Sequence, residues 1–142
     1  MEEFNKKWLN QLIGGLESEK NFTVLHDCGA MCAKWSGMLD EIKKFKSDQE
    51  ISDNQSLVEL LKESPFKDHK IEANGDVVQL TYNFESCVCP IMNQLENPHA
   101  CQCTVGFLSK SLETLTGKSF SIEIMDSYLK NNLPCSFQIY MD

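Results

Sequence analysis

The stretch HKIEANGDVVQLTYNF, residues 69–84, decides the fold class. Asn74-Gly75 supplies two successive positions that tolerate positive φ, which is what a two-residue antiparallel hairpin turn requires. On the second arm Val78, Leu80, Tyr82 and Phe84 alternate with Val77, Gln79, Thr81 and Asn83. In a pleated strand that alternation puts the first set on one face and the second on the other. The spacing therefore predicts strands over 69–73 and 76–84.

Working outward, residues 85–101 (ESCVCPIMNQLENPHAC) read as a loop, and loops of that length are usually functional or mobile. Val105, Leu108, Leu112 and Leu115 recur at helical spacing over 102–116, and Gly117 sits where a helix ends. Period two returns at 119–127, with Phe120, Ile122 and Ile124 opposite Glu123. It recurs at 135–141, with Cys135, Phe137, Ile139 and Met141 together, after a turn at Lys130–Pro134.

Toward the N-terminus the period is 3.6. Phe4, Trp8, Leu9, Leu12, Ile13 and Leu16 predict a helix over 3–17. Val24, Leu25, Cys28, Met31, Cys32, Trp35, Met38, Leu39 and Ile42 predict one long helix over about 22–46 with that stripe inward. A shorter helix follows, capped by Ser52 or Asp53, with Leu57, Val58, Leu60 and Leu61 as its apolar face and Pro65 beyond its end. The order is α-α-α-β-β-α-β-β. Two antiparallel hairpins separated by a helix give an α+β domain, a four-stranded antiparallel sheet with three to four helices on one face, spanning 1–142 as a single domain.

The bulk composition is ordinary for a globular chain: 142 residues, 42% hydrophobic, 24% charged. A net charge of −8 repels phosphate backbones and anionic lipid heads, so nucleic acid and membrane surface are poor partners. No basic, then apolar leader opens the chain and no window is apolar enough to span a bilayer, so a cytoplasmic location is expected. A small-molecule ligand is the expected partner, and the exposed edges of such a sheet permit a homodimer.

The sequence carries seven cysteines. Cys87/Cys89 and Cys101/Cys103 form two C-x-C pairs whose four sulfurs are candidate zinc ligands, with Cys28 and His99 as additional ones. Zinc is the expected cofactor on this reading. Cys101 and Cys103 open a helix, where unpaired N–H groups and the helix dipole favour a thiolate. They are also candidate nucleophiles, with His99 as base. Cys32 and Cys135 read as core thiols. Cys28 lies beside the polar His26, Asp27 and Gly29, and His26 is a second candidate ligand or base. Phosphate-cradling glycine loops and hydrolase elbows are absent from the sequence.

Cys101-Gln-Cys103-Thr-Val-Gly106-Phe107, then Glu123 on a strand, then Cys135-Ser-Phe137-Gln-Ile139, resembles the end of the 4-vinyl-reductase domain family. With Cys28-Gly29-Ala30-Met31-Cys32 ahead of a C-x-C loop, the chain is also similar to small bacterial proteins related to L-2-amino-thiazoline-4-carboxylic acid hydrolase. The resemblance implies the fold of nitric-oxide-sensor and Golgi-transport ligand-binding domains. It implies small-molecule or hydrocarbon binding and functional positions at Cys101 or Cys103, Glu123 and Cys135. The chain departs from the family at Asn131-Asn132-Leu133-Pro134, where a glycine-rich turn is usual.

Four functions follow as alternatives. A binding or sensory module would line its pocket with Met31, Trp35, Phe84, Phe107 and Phe137. A small hydrolase of a cyclic amide or thiazoline would act through zinc-bound water or the thiolate of Cys101 or Cys103. A thiol switch would cycle its C-x-C pairs. A structural partner protein would use none of these.

Overall fold

The computed structural model describes residues 2–18, 22–45, 50–83 and 98–142. The elements in chain order are α1 (Glu2–Ser18), α2 (Thr23–Trp35), α3 (Met38–Lys44), α4 (Asn54–Glu63), β1 (Lys70–Asn74), β2 (Val77–Thr81), a 3-10 turn (Pro98–Cys101), α5 (Gln102–Thr116), β3 (Phe120–Asp126), α6 (Tyr128–Asn131) and β4 (Ser136–Met141). The fold is the expected α+β arrangement around a four-stranded antiparallel sheet, in the order β1-β2-β4-β3.

The two hairpins join through β2 and β4, which pair Val78 with Ile139 and Leu80 with Phe137. Ile71 faces Leu80, and Ile122 and Ile124 face Ile139 and Phe137. Directly opposed residues share a face, so these side chains form one apolar surface across all four strands. It packs against Leu39 and Ile42 of α3, Leu57, Val58, Leu60 and Leu61 of α4, and Leu108 and Leu112 of α5. The period-two reading of β2, β3 and β4 thus marks the buried face correctly.

Local chemistry sets the element ends. Asp53 accepts from the Ser56 N–H at 2.8 Å, and the Ser56 hydroxyl lies 3.1 Å from the Asp53 N–H that donates to it, a reciprocal cap for α4. Gly117 stops α5 at φ 73°, in the left-handed region. Between Ile124 and Asp126 the β3–β4 register slips, and Met125 is 39% exposed there. Among the described residues, the buried serines Ser64, Ser111, Ser127 and Ser136 all have hydrogen-bond partners.

The N-terminal half corrects the sequence reading twice. The helix expected over 22–46 is two helices, broken at Ser36-Gly37, where Gly37 takes φ 89°. The stripe on its first half also points the other way. Gly29 and Ala33 are buried, while Cys28, Met31, Cys32 and Trp35 are exposed. Cys32 is therefore not a core thiol. The reason is size. A Cβ on Gly29 would fall 1.7 Å from the Cys103 carbonyl oxygen, and one on Gly106 would fall 2.0 Å from that of His26. Helices α2 and α5 meet backbone to backbone, and only the smallest side chains fit between them.

This predicts opposite signs for two glycine substitutions. Gly29→Ala sets a methyl group against an immobile carbonyl and should destabilise by about 3 kcal/mol or more, at or beyond the usual overpacking range. Gly14→Ala in α1 meets nothing within 4 Å and should stabilise by roughly 0.5–1 kcal/mol. Urea unfolding of the two variants beside the native chain checks both.

Candidate functional site

The α2–α5 contact opens on one side into a cleft closed by β3, with a volume of about 390 Å³. Val105, Gly106 and Phe120 are buried and form its floor, with the half-buried Ala30 and Ile122 beside them. Asp27 on α2, Lys110 and Glu113 on α5, and Ser121 on β3 are exposed at its rim. His26 is half-buried in the wall, and its Nε2–H donates to Gln102 Oε1 at 2.8 Å, tying α2 to the first residue of α5.

The charges at the rim are not equivalent. Lys110 and Glu113 lie 3.7 Å apart as an i, i+3 ion pair. The Ser121 hydroxyl donates to Asp142 at 2.7 Å, which brings another carboxylate to that edge. Asp27 is left as the charge the cleft offers to a ligand. The lining is thus an apolar floor under a rim of net negative sign.

A second group of titratable side chains sits around Tyr82. Its N–H donates to the Cys135 carbonyl at 2.8 Å, and its ring lies between His69 and Phe137, with centroids at 4.7 and 5.4 Å. Burial pushes the phenol well above its ordinary range, and the Cys135 and Cys32 thiols, close enough for their charge to be felt, push the same way. His69 Nδ1 accepts from the Asn83 N–H at 3.2 Å. Burial holds its pKa below the usual histidine value, against a weaker opposing pull from Asp68.

The cysteines expected to cluster are distributed as follows. Cys101 is 5% exposed at the N-cap of α5. Cys103 is half-buried against Ile13 and Ala100. Cys135 is half-buried against the main core, as expected of it. Cys28 is exposed on α2. Cys87, Cys89 and Phe84, and the side chain of His99, lie outside the described residues. Among the described residues no group of three or more His, Cys, Asp or Glu side chains is placed to hold a metal ion.

Of the aromatic and thioether residues expected to line a pocket, Met31 and Trp35 are exposed, Phe137 is sealed in the core at 1% exposure, and Phe107 is half-buried against that core. None of these four lines the cleft. Glu123 is exposed on β3. Sequence reading singled out His26 but missed Asp27, Lys110, Glu113 and Ser121 as site residues. They carry no motif, and only the close approach of Gly29 and Gly106 brings them together.

A family model matches residues 1–142. The chain belongs to that family, DUF6144, a family of unknown function. No curated protein matches this DUF6144 chain. Among solved structures it is similar to a trafficking protein particle complex subunit 3 from Naegleria fowleri, covalently bound to palmitic acid. The identity is 13% over 98% of this chain and 96% of that one, with a TM-score of 0.53. The likeness is one of fold. It bears out the trafficking-subunit side of the expected architecture.

The His69 arrangement predicts a pH dependence. A histidine whose folded pKa lies below its unfolded value stabilises the fold above the unfolded pKa, near 6.5, and that contribution is lost as pH falls through the folded value. Melting temperature should therefore drop below about pH 6.5 in the native chain, and the drop should be shallower in His69→Gln. Thermal melts at stepped pH measure the difference.

Proposed function

We propose that the chain is a small-molecule-binding module, and that its ligand lies in the cleft between α2, α5 and β3. The observation that carries this reading is the combination of a buried apolar floor with a charged rim, in a cleft whose volume falls within the range of ligand sites. The similar trafficking-complex subunit carries palmitic acid, which supports the idea that a fold of this kind holds a molecule with an apolar body.

The rim selects the other end of the ligand. Asp27 is unmatched, Glu113 already occupies Lys110, and Asp142 stands behind Ser121. The whole chain adds a net −8. A carboxylate head would be repelled here, and a protonated amine would be attracted to Asp27. The ligand class is therefore an amine with an apolar body, the body resting on Val105, Phe120 and Ile122.

Hexylamine and hexanoate are matched probes, with the same body and opposite heads. Titrated into the ¹⁵N-labelled chain, hexylamine should move the amide signals of Ala30, Gly106, Ser109 and Ser121, and hexanoate should leave them in place. Asp27→Asn should weaken hexylamine binding by about tenfold, the weight of one charge-assisted contact. Equal response to both probes, or shifts elsewhere only, would overturn the reading.

A further inference from the structure

Helix α2 is apolar on two sides, and the fold uses only one of them. At 3.6 residues per turn, Val24, Cys28, Met31 and Trp35 fall within about 60° of one another, roughly opposite Gly29 and Ala33. The four outer residues are exposed, Val24 by 49%, Met31 by 44% and Trp35 by 74%, with Cys28 among them. Single exposed apolar residues need no explanation, but an aligned row of them marks a docking surface. Steps of four, three and four residues are those of a seam between two paired helices.

We propose that two copies of this chain pair antiparallel through this face of α2, about a two-fold axis between residues 29 and 30. The row is symmetric about that point. Val24 then packs on the partner's Trp35, and Cys28 on the partner's Met31, small against large in each layer. The flanking charges point to the same occupant. Asp27 and Lys34 are both exposed and lie on one flank of the row, about 20° apart around the helix. In an antiparallel pair like flanks face each other, so Asp27 meets the partner's Lys34 and Lys34 meets the partner's Asp27. A parallel pair sets that flank against Leu25 and Cys32, which offer it no opposite charge.

The size of the row fixes the strength. Its exposed surface is on the order of 350 Å² per copy, well under the roughly 800 Å² per partner of a standard interface. The net charge of −8 on each copy opposes association further. The pair is accordingly weak and concentration-dependent. It engages the same Asp27 carboxylate as the amine, so the two compete for it, but the pair does not rest on the ligand reading above.

Sedimentation velocity of the full chain between about 5 and 500 µM tests it. The native chain should move from its 16.2 kDa mass toward twice that value. Trp35→Glu changes a solvent-facing side chain, so it should keep the native circular dichroism and melting temperature and stay monomeric throughout. Lys34→Asp should weaken the dimer about five- to tenfold, by turning two attractive contacts into repulsive ones. Adding Asp27→Lys to it should restore the native affinity to within about twofold. A native chain that stays monomeric at the highest concentration, a dimer indifferent to Trp35→Glu, or a double reversal as weak as the single one would each overturn the proposal.

Discussion

Two backbones in contact, at Gly29 of α2 and Gly106 of α5, constrain most of what surrounds them. Helices ordinarily stand 8–10 Å apart, separated by interlocking side chains. Here the Cys103 and His26 carbonyls occupy the places where Cβ atoms would go. That contact turns Gly29 and Ala33 inward and therefore turns Cys28, Met31 and Trp35 outward. It also sets Asp27 and His26 across from Lys110 and Glu113, so the cleft follows from the way the two helices meet. The His26–Gln102 hydrogen bond fastens the same junction from one end.

The sheet performs a different task. Its inner face is a continuous apolar layer from Ile71 to Ile124, and α4 and α5 bury it. Removing water from that surface is the main stabilising contribution. The glycine contact adds little apolar area of its own. It determines where α2 lies on a core that β2, β4, α4 and α5 have already assembled. Most of the stability and the geometry of the site thus come from different layers of the molecule.

The strands were legible because period two and burial coincide in them. Val78 and Leu80, and Phe137 and Ile139, were grouped on shared strand faces, and all four are fully buried. Gly75, Asp53 and Gly117 were legible as turn and cap residues because each satisfies a specific backbone demand. The hairpin turn nevertheless falls one residue later than Asn74-Gly75: Asn74 pairs with Val77 at the end of β1, and Gly75, at φ 64°, opens a Gly75-Asp76 turn. Helix α2 was misread because hydrophobic periodicity weighs apolarity and ignores size. Met31 and Trp35 outrank Gly29 and Ala33 on any such scale, yet the small pair sets the distance of closest approach. Gly29 and Ala33, four residues apart, carry the signal that would have corrected the reading, since side chains at i and i+4 share a helix face. The rim of the cleft had no signal at all. Lys110, Glu113 and Ser121 are unremarkable surface residues in one dimension, and Cys32 and Cys135 are about a hundred positions apart while both act on Tyr82.

The direct meeting of α2 with α5 has a mechanical side. Side chains between two helices act as a soft gasket, because rotamer changes absorb small displacements. The Gly29–Gly106 junction has no gasket. A load applied to the solvent side of α2 passes to α5 undamped, as through a welded joint, and the cleft wall at His26 and Ala30 must travel with it.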